Sequence, residues 1–131
     1  MARPFFSIII PTYNQCNFLK NALKSVENQK FSNYEIIVID NFSKDETSKI
    51  IKNFKKKKII YKKIKNQGII GKSRNEGIKL SKGEWIAFLD SDDVWHELKL
   101  KKIYEMIKKE NFEAICNDEW IVHEKKTKNK I

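Results

Sequence analysis

Short runs of β-branched and aromatic residues take turns along this chain with segments whose apolar residues recur at helical spacing, and few architectures accept that alternation. The first run, Phe5-Phe6-Ser7-Ile8-Ile9-Ile10, is stopped by Pro11 and suits a strand buried on both faces of a parallel sheet. After Thr12-Tyr13-Asn14, Asn17 is the expected N-cap of a helix reaching about Gln29, with Phe18, Leu19, Ala22, Leu23 and Val26 facing inward. Tyr34 to Ile39 repeats the strand signature and ends at Asp40, and Asp45 is expected to cap a second helix that turns Ile50, Ile51 and Phe54 to the core. Ile59-Ile60-Tyr61 reads as a third strand, Gly71 to Leu80 as a third helix, and Glu84 to Leu89 as a fourth strand running into Asp90. Leu98, Ile103, Tyr104 and Ile107 place a fourth helix over Glu97 to Lys109, and Phe112 to Cys116 is expected to add a fifth strand. Short connections between such elements imply right-handed crossovers. The fold class is therefore α/β: an open, mostly parallel, Rossmann-like sheet with helices on both faces.

The chain has 131 residues, enough for one domain with a real core but too few for a two-domain enzyme of ~250 residues. No stretch approaches the ~18 uncharged apolar residues of a membrane span, and Met1-Ala2-Arg3-Pro4-Phe5 lacks a signal peptide's apolar core, so a cytoplasmic location is expected. Cys16 and Cys116 read as two free thiols, which excludes a disulfide or zinc scaffold. The 27 basic residues outnumber the 17 acidic ones, giving +10, yet almost all of the excess is lysine. Lysine, isoleucine and asparagine all have A/T-rich codons, so the charge is discounted as a sign of nucleic-acid binding; no nucleic-acid partner is expected. Attraction to phosphates or anionic lipid headgroups is compatible with it, although no amphipathic anchor is visible. The runs Lys55 to Lys58 and Lys125 to Lys130 read as solvated surface. Against this background the exceptions stand out. All four glycines, three of the six aspartates and one of the two arginines, Arg74, fall between residues 68 and 93.

Ligands of open α/β sheets bind outside the carboxyl ends of the strands, so Pro11-Thr12-Tyr13-Asn14, Asp40-Asn41-Phe42-Ser43 and Asp90-Ser91-Asp92-Asp93 should share one crevice. Three carboxylates on one turn repel each other unless a cation or hydrogen-bond donors compensate, and Mg²⁺ or Mn²⁺ would bind one or two of them together with substrate phosphates. The same tetrapeptide also suits a turn with an Asp cap. An EF-hand is excluded, because Trp95 stands where its glycine must be. Gly71-Lys72-Ser73 ends like a P-loop, but Asn66 occupies the position of the first glycine. What remains is a glycine-bracketed loop entering a helix whose first turn carries Lys72 and Arg74. That arrangement suits a diphosphate, or equally a plain surface loop. Asp40 could accept hydrogen bonds from a base or ribose, or simply cap a turn. Thr12 and Tyr13 offer a hydroxyl and an aromatic face. His96 and His123 have no nucleophile or ligand set around them and are given no catalytic work.

Taken in order, Phe6 to Asn14, Glu35 to Ser43 with Asp45 and Thr47, Asn66 to Gly77, and Lys82 to Trp95 resemble the inverting family 2 glycosyltransferases of GT-A fold, over roughly residues 5 to 122. The resemblance implies a nucleotide-sugar-binding set of Pro11, Thr12, Tyr13, Asn14, Asp40, Lys72, Arg74, Asp90 and Ser91, with Asp92 and Asp93 as ligands of Mg²⁺ or Mn²⁺. A UDP-sugar is the implied donor, and a glycan or lipid-linked molecule the acceptor, in bacterial surface polysaccharide synthesis with peripheral contact at the membrane's inner face. The family's usual small residue in DDGS or DNGS is Phe42 here, which bears on base selectivity. Members of the family continue well beyond the DxD strand, so residues 1–131 are expected to form a single, truncated domain. It would be the donor-binding half of a longer enzyme, a truncated frame, or a fragment needing a partner chain. Asp118 and Glu119 do not match the general base, which is left unassigned. The alternative reading is a nucleotide-sugar-binding fragment without transfer activity of its own.

Overall fold

The computed structural model describes residues 2–119. His123 and the run Lys125 to Lys130 lie outside the described residues. Among the described residues four strands and four helices alternate: β1 (Phe6–Thr12), α1 (Cys16–Glu27), β2 (Tyr34–Asp40), α2 (Thr47–Asn53), β3 (Ile59–Lys63), α3 (Ile70–Leu80), β4 (Trp85–Phe88) and α4 (Lys99–Lys109). The strands form one sheet in the order β3-β2-β1-β4, with every pairing parallel. The expected α/β class with a parallel sheet covered on both faces is what the chain adopts.

Parity along the strands sorts the core into two layers. On one face Ile8, Ile10, Ile36 and Val38 pack with Leu19, Ala22, Leu23 and Val26 of α1, Ile51 of α2 and Leu100 of α4. On the other, Ile9, Ile37 and Ile39 lie beneath Leu80 at the end of α3. Each fully buried Ile or Leu contributes roughly 1.5–3 kcal/mol. α3 can come close because position 77 has no side chain: a Cβ there would lie 2.4 Å from Ile9 Cγ2.

Several boundaries differ from expectation. Pro11 does not stop β1, which continues to Thr12. Phe5 and Ile9 accept hydrogen bonds from Trp85 and Leu89 on the β4 side, whereas Thr12 accepts from Asn41 on the β2 side. Pro11 shares the parity of Ile9, and pairing with β4 ends at Ile9, so its missing N–H removes no ladder bond. Asn17 does not cap α1; the helix starts at Cys16, after Gln15. The Cys16 N–H is instead taken by Asp45 Oδ2, 2.9 Å away, while Asp45 Oδ1 accepts from the Thr47 N–H and hydroxyl. Asp45 thus serves the starts of α1 and α2 together, with Glu46 in the cap position of α2. Its burial alone would raise its pKa, but the hydrogen bonds from Thr47 and Cys16 outweigh that and hold the carboxyl below its ordinary value. The fifth strand does not form. Only Phe112 and Ile115 of that segment are even half-buried, and a spacing of three gives no strand face to seat. The segment faces the free edge of β4 across a groove of about 800 Å³ without pairing to it.

Candidate functional site

The chain steps outward from β1 to β2 and β3, then returns to the far side of β1 for β4. That reversal is the topological switch point of the sheet, and open α/β sheets bind ligands outside the carboxyl ends of the strands at such a point.

From the β1 side come Pro11 and Thr12, both buried, then Tyr13 and Asn14, both exposed. Thr12 Oγ1 is buried and has no hydrogen-bond partner among the described residues. Asn14 adopts a left-handed backbone, φ 48°, and ties two loops together. Its N–H donates to Ser43 Oγ at 2.9 Å, and its Oδ1 accepts from the Lys44 N–H at 2.8 Å.

Asp40 lies opposite Thr12 in the register and is completely buried. Its Oδ1 accepts from both the N–H and the hydroxyl of Ser43, and its Oδ2 accepts from Tyr61 Oη at 2.5 Å. The carboxylate is therefore turned onto its own loop and onto β3, with one acceptor position left on Oδ2. Burial, then the hydrogen bond and negative charge of Asp40, raise the Tyr61 phenol well above its ordinary value, so it stays a donor. Tyr61 carried no functional expectation from the sequence. Its register partner is Val38, so on the shared face its hydroxyl reaches diagonally to Asp40, two residues on.

After β3 the chain makes the loop that precedes α3. Asn66 is buried, donates through Nδ2 to Ser73 Oγ at 3.0 Å, and accepts from the N–H of Gly68, whose φ is 74°. No side chain caps the N-terminus of α3. Lys72 is exposed and its Nζ reaches Gln67 Oε1 of the same loop, so it is not brought against the other predicted residues. Arg74 is: its Nη2 donates to Asp90 Oδ1 at 2.9 Å, and its guanidinium lies 5.4 Å from the Phe88 ring centre. Both partners are partly exposed, so the pair is worth no more than ~1 kcal/mol. Arg74 Nε is buried and unpartnered among the described residues.

β4 delivers the acidic turn, closed by the Asp93 N–H donating to Asp90 O at 3.0 Å. Ser91 is buried and its hydroxyl donates to Gln15 Oε1, which fixes the turn to the start of α1. Gln15 is a second residue without a motif to announce it. Asp92 and Asp93 are exposed. Partial burial first, then the nearby charges of Asp92, Asp90 and Glu119, raise the Asp93 carboxyl. Among the described residues no three His, Cys, Asp or Glu side chains are grouped to hold a metal. With Asp90 engaged by Arg74, two exposed carboxylates remain. That donor set fits Mg²⁺ or Mn²⁺ shared with a ligand's phosphates and does not fit a protein-only cage.

Of the four glycines, only Gly68 and Gly71 belong to this rim. Gly77 and Gly83 are required by packing, against Ile9 and Ser7 respectively.

A parallel sheet with polar residues gathered at its switch point places the chain among the open, doubly wound α/β ligand-binding folds. The chain also matches the Glycosyl transferase family 2 profile over residues 7–129. It belongs to that family, and its sheet is the nucleotide-binding half of the GT-A fold. It is 44% identical over 107 residues to an uncharacterized glycosyltransferase of Rickettsia bellii (strain RML369-C), covering 81% of this chain and 15% of that protein. It is 41% identical over 113 residues to the poly(ribitol-phosphate) beta-N-acetylglucosaminyltransferase TarP of Staphylococcus aureus (strain N315), covering 83% of this chain and 35% of TarP. The structure of S. aureus TarS 1-349 in complex with UDP-GlcNAc superposes with a TM-score of 0.77 at 33% identity, over 80% of this chain and 31% of that one. The chain thus spans about a third or less of the length of these relatives. Among the described residues no helix is long and apolar enough to cross a membrane.

Proposed function

We propose that this chain binds the nucleoside diphosphate of a sugar donor in the crevice between β1 and β4, and that it is the donor-binding part of a glycosyltransferase. The observation that carries the reading is the pair of orphaned polar atoms at the rim, Thr12 Oγ1 and Arg74 Nε. Leaving a buried polar atom unmade costs ~1–3 kcal/mol, and a polar ligand seated at the switch point would remove that cost. TarS binding UDP-GlcNAc, with the same fold over most of this chain, supports a UDP-sugar as donor.

In this reading Tyr13 offers its ring to the base and Thr12 its hydroxyl to the nucleoside. Pro11 and Asn14 shape the loop beneath them. Asp40 holds Ser43 and Tyr61 at the base end and has one acceptor position left for the nucleoside. Lys72 and the uncapped first turn of α3 face the diphosphate, where backbone N–H groups and the helix dipole favour negative charge. Arg74 keeps Asp90 oriented, and Ser91 anchors the acidic turn to α1. Asp92 and Asp93 are the residues that would hold Mg²⁺ or Mn²⁺, which when bound supplies charge neutralisation on the leaving diphosphate. Transfer then breaks the bond from the anomeric carbon to phosphate oxygen, leaving that electron pair on the nucleoside diphosphate. An acceptor hydroxyl forms the new bond from the opposite face and gives its proton to a carboxylate base. No residue of this chain is assigned as that base. The acceptor is a glycan or lipid-linked glycan of a bacterial surface polymer, met at the cytoplasmic face of the membrane, where the lysine-rich surface favours anionic headgroups.

Calorimetry with UDP, in Mn²⁺ and in chelator, tests the reading alongside Asp92→Ala. Binding that needs both the cation and Asp92 supports it, and absence of UDP binding under every condition refutes it. A second reading follows from the chain's share of its relatives' length: a donor-binding module that does not transfer alone. Binding without acceptor-dependent release of UDP would favour that reading over a complete enzyme.

A further inference from the structure

Phe42 is held in a conformation that its side chain resists, and nothing in the core repays it. Its φ is 53°, in the left-handed region, yet the residue is 47% exposed. Bulky L-residues avoid that region, and glycine occupies it freely. The backbone has little choice, because both neighbours are pinned. Ser43 gives its N–H and hydroxyl to Asp40 and accepts from Asn14, while Asn41 Oδ1 accepts the Asn66 N–H at 3.0 Å. The ring leaves β2 two residues past the register pair Thr12 and Asp40, and from the other strand of that pair Tyr13, also exposed, leaves one residue on. Lys65 Nζ lies 5.9 Å from the Phe42 ring centre, putting a cation on the β3 side of the ring. A turn free of functional demand would place glycine or asparagine here, so a presented aromatic in strained backbone points to a ligand that uses the ring.

We infer that Phe42 is a specificity-determining residue of the donor site: its ring is a wall against which the nucleobase packs, at the opposite end of the ligand from the Asp90–Asp93 turn. The inference rests on the donor-binding reading above and adds to it the residue that selects the base.

Glycine fits φ 53° without strain, so the ring's two roles separate in one substitution. The full chain, Phe42→Gly and Phe42→Tyr are compared by calorimetry with UDP, CDP, ADP and GDP in Mn²⁺, and by thermal denaturation. Phe42→Gly is expected to bind UDP about 5- to 150-fold more weakly, the range for losing one base-stacking ring, with narrowed preference among the four nucleotides and an equal or higher Tm. Phe42→Tyr is expected to keep both affinity and preference. Unchanged UDP affinity in Phe42→Gly overturns the inference and leaves the donor-binding reading standing. Affinity and Tm falling together also overturn it, because the ring would then be a structural prop. If the unaltered chain binds none of the four nucleotides, the donor-binding reading fails and takes the inference with it.

Discussion

Replacing Gly77 with alanine tests how α3, and with it Lys72 and Arg74, is held over the sheet. The added Cβ would sit 2.4 Å from Ile9 Cγ2 and 3.1 Å from both Cδ1 and Cγ1. Carbon atoms prefer ~3.5–4.0 Å, so the closest pair is about 1 Å or more too near. Ile9 has nowhere to go: it is fully buried, clustered with Ile37 and Ile39 and flanked by Ile60, Leu80 and Ile86. Overpacking of this kind costs ~1–3 kcal/mol, against which alanine's better helix propensity returns ~0.8–1.0 kcal/mol. The net expectation is a loss of about 1 kcal/mol, or roughly 3 °C in Tm for a domain of this size. Gly71→Ala is the internal control, because a Cβ there meets nothing within 4 Å. It should be neutral or stabilising by up to ~1 kcal/mol, since only propensity acts. Urea denaturation followed by tryptophan fluorescence would measure both. In the double variant with Ile9→Ala, which removes all three clashing atoms, a coupling of ~1 kcal/mol or more is expected. If Gly77→Ala proves as stable as Gly71→Ala, α3 is not seated on β1 through this contact and the packing argument is wrong.

Tyr61→Phe deletes the only donor to Asp40 Oδ2 among the described residues and should cost ~1.5–3 kcal/mol in urea denaturation, the usual worth of a hydrogen bond to a charged group; a loss below ~0.5 kcal/mol would show that water replaces the phenol. Asp45→Ala removes the acceptor shared by α1 and α2 and should cost ~0.5–2 kcal/mol at neutral pH. Because the folded Asp45 carboxyl titrates below its ordinary value, that stabilisation is complete above about pH 5 and is lost as pH falls through the folded value, so the gap between the two proteins should close toward pH 3. A gap that stays constant with pH would mean the carboxylate's charge plays no part.

What was legible in the sequence, and what was not, divides along one physical line. Strands β1 and β2 announce themselves because burial on both faces demands unbroken apolar runs, and the same runs place the polar clusters that end them at one edge of the sheet; β4 is only partly buried but keeps an apolar run that ends at Asp90. Features that depend on which strand lies beside which were not legible. Pro11 breaks strands in general, but here its parity turns the missing N–H toward β4 beyond the last pairing, so it costs nothing. Asn17 has the chemistry of a helix cap, yet the helix already starts at Cys16, whose N–H has Asp45, 29 residues away, as its acceptor. Phe112 to Cys116 alternates apolar residues at 112, 114 and 116, yet the structure half-buries only Phe112 and Ile115 and leaves the segment unpaired beside β4.

The candidate site follows the same rule. Where the strands end could be read, and Pro11 to Asn14, Asp40 and Asp90 to Asp93 end or follow β1, β2 and β4, whereas Lys72 and Arg74 come from α3. What each one touches could not. Asp40 is committed to Tyr61 only because Val38 and Tyr61 are register partners, which puts a phenol within diagonal reach of a carboxylate two residues on. Shifting β3 by a single residue would turn Tyr61 to the opposite face and leave Asp40 Oδ2 open to the crevice. In the donor-binding reading, the chemistry available at the base end of the site is therefore set by the pairing of β2 with β3, at the far edge of the sheet from the acidic turn. A substitution that disturbs that pairing should alter nucleotide selection while leaving the Arg74–Asp90 contact intact.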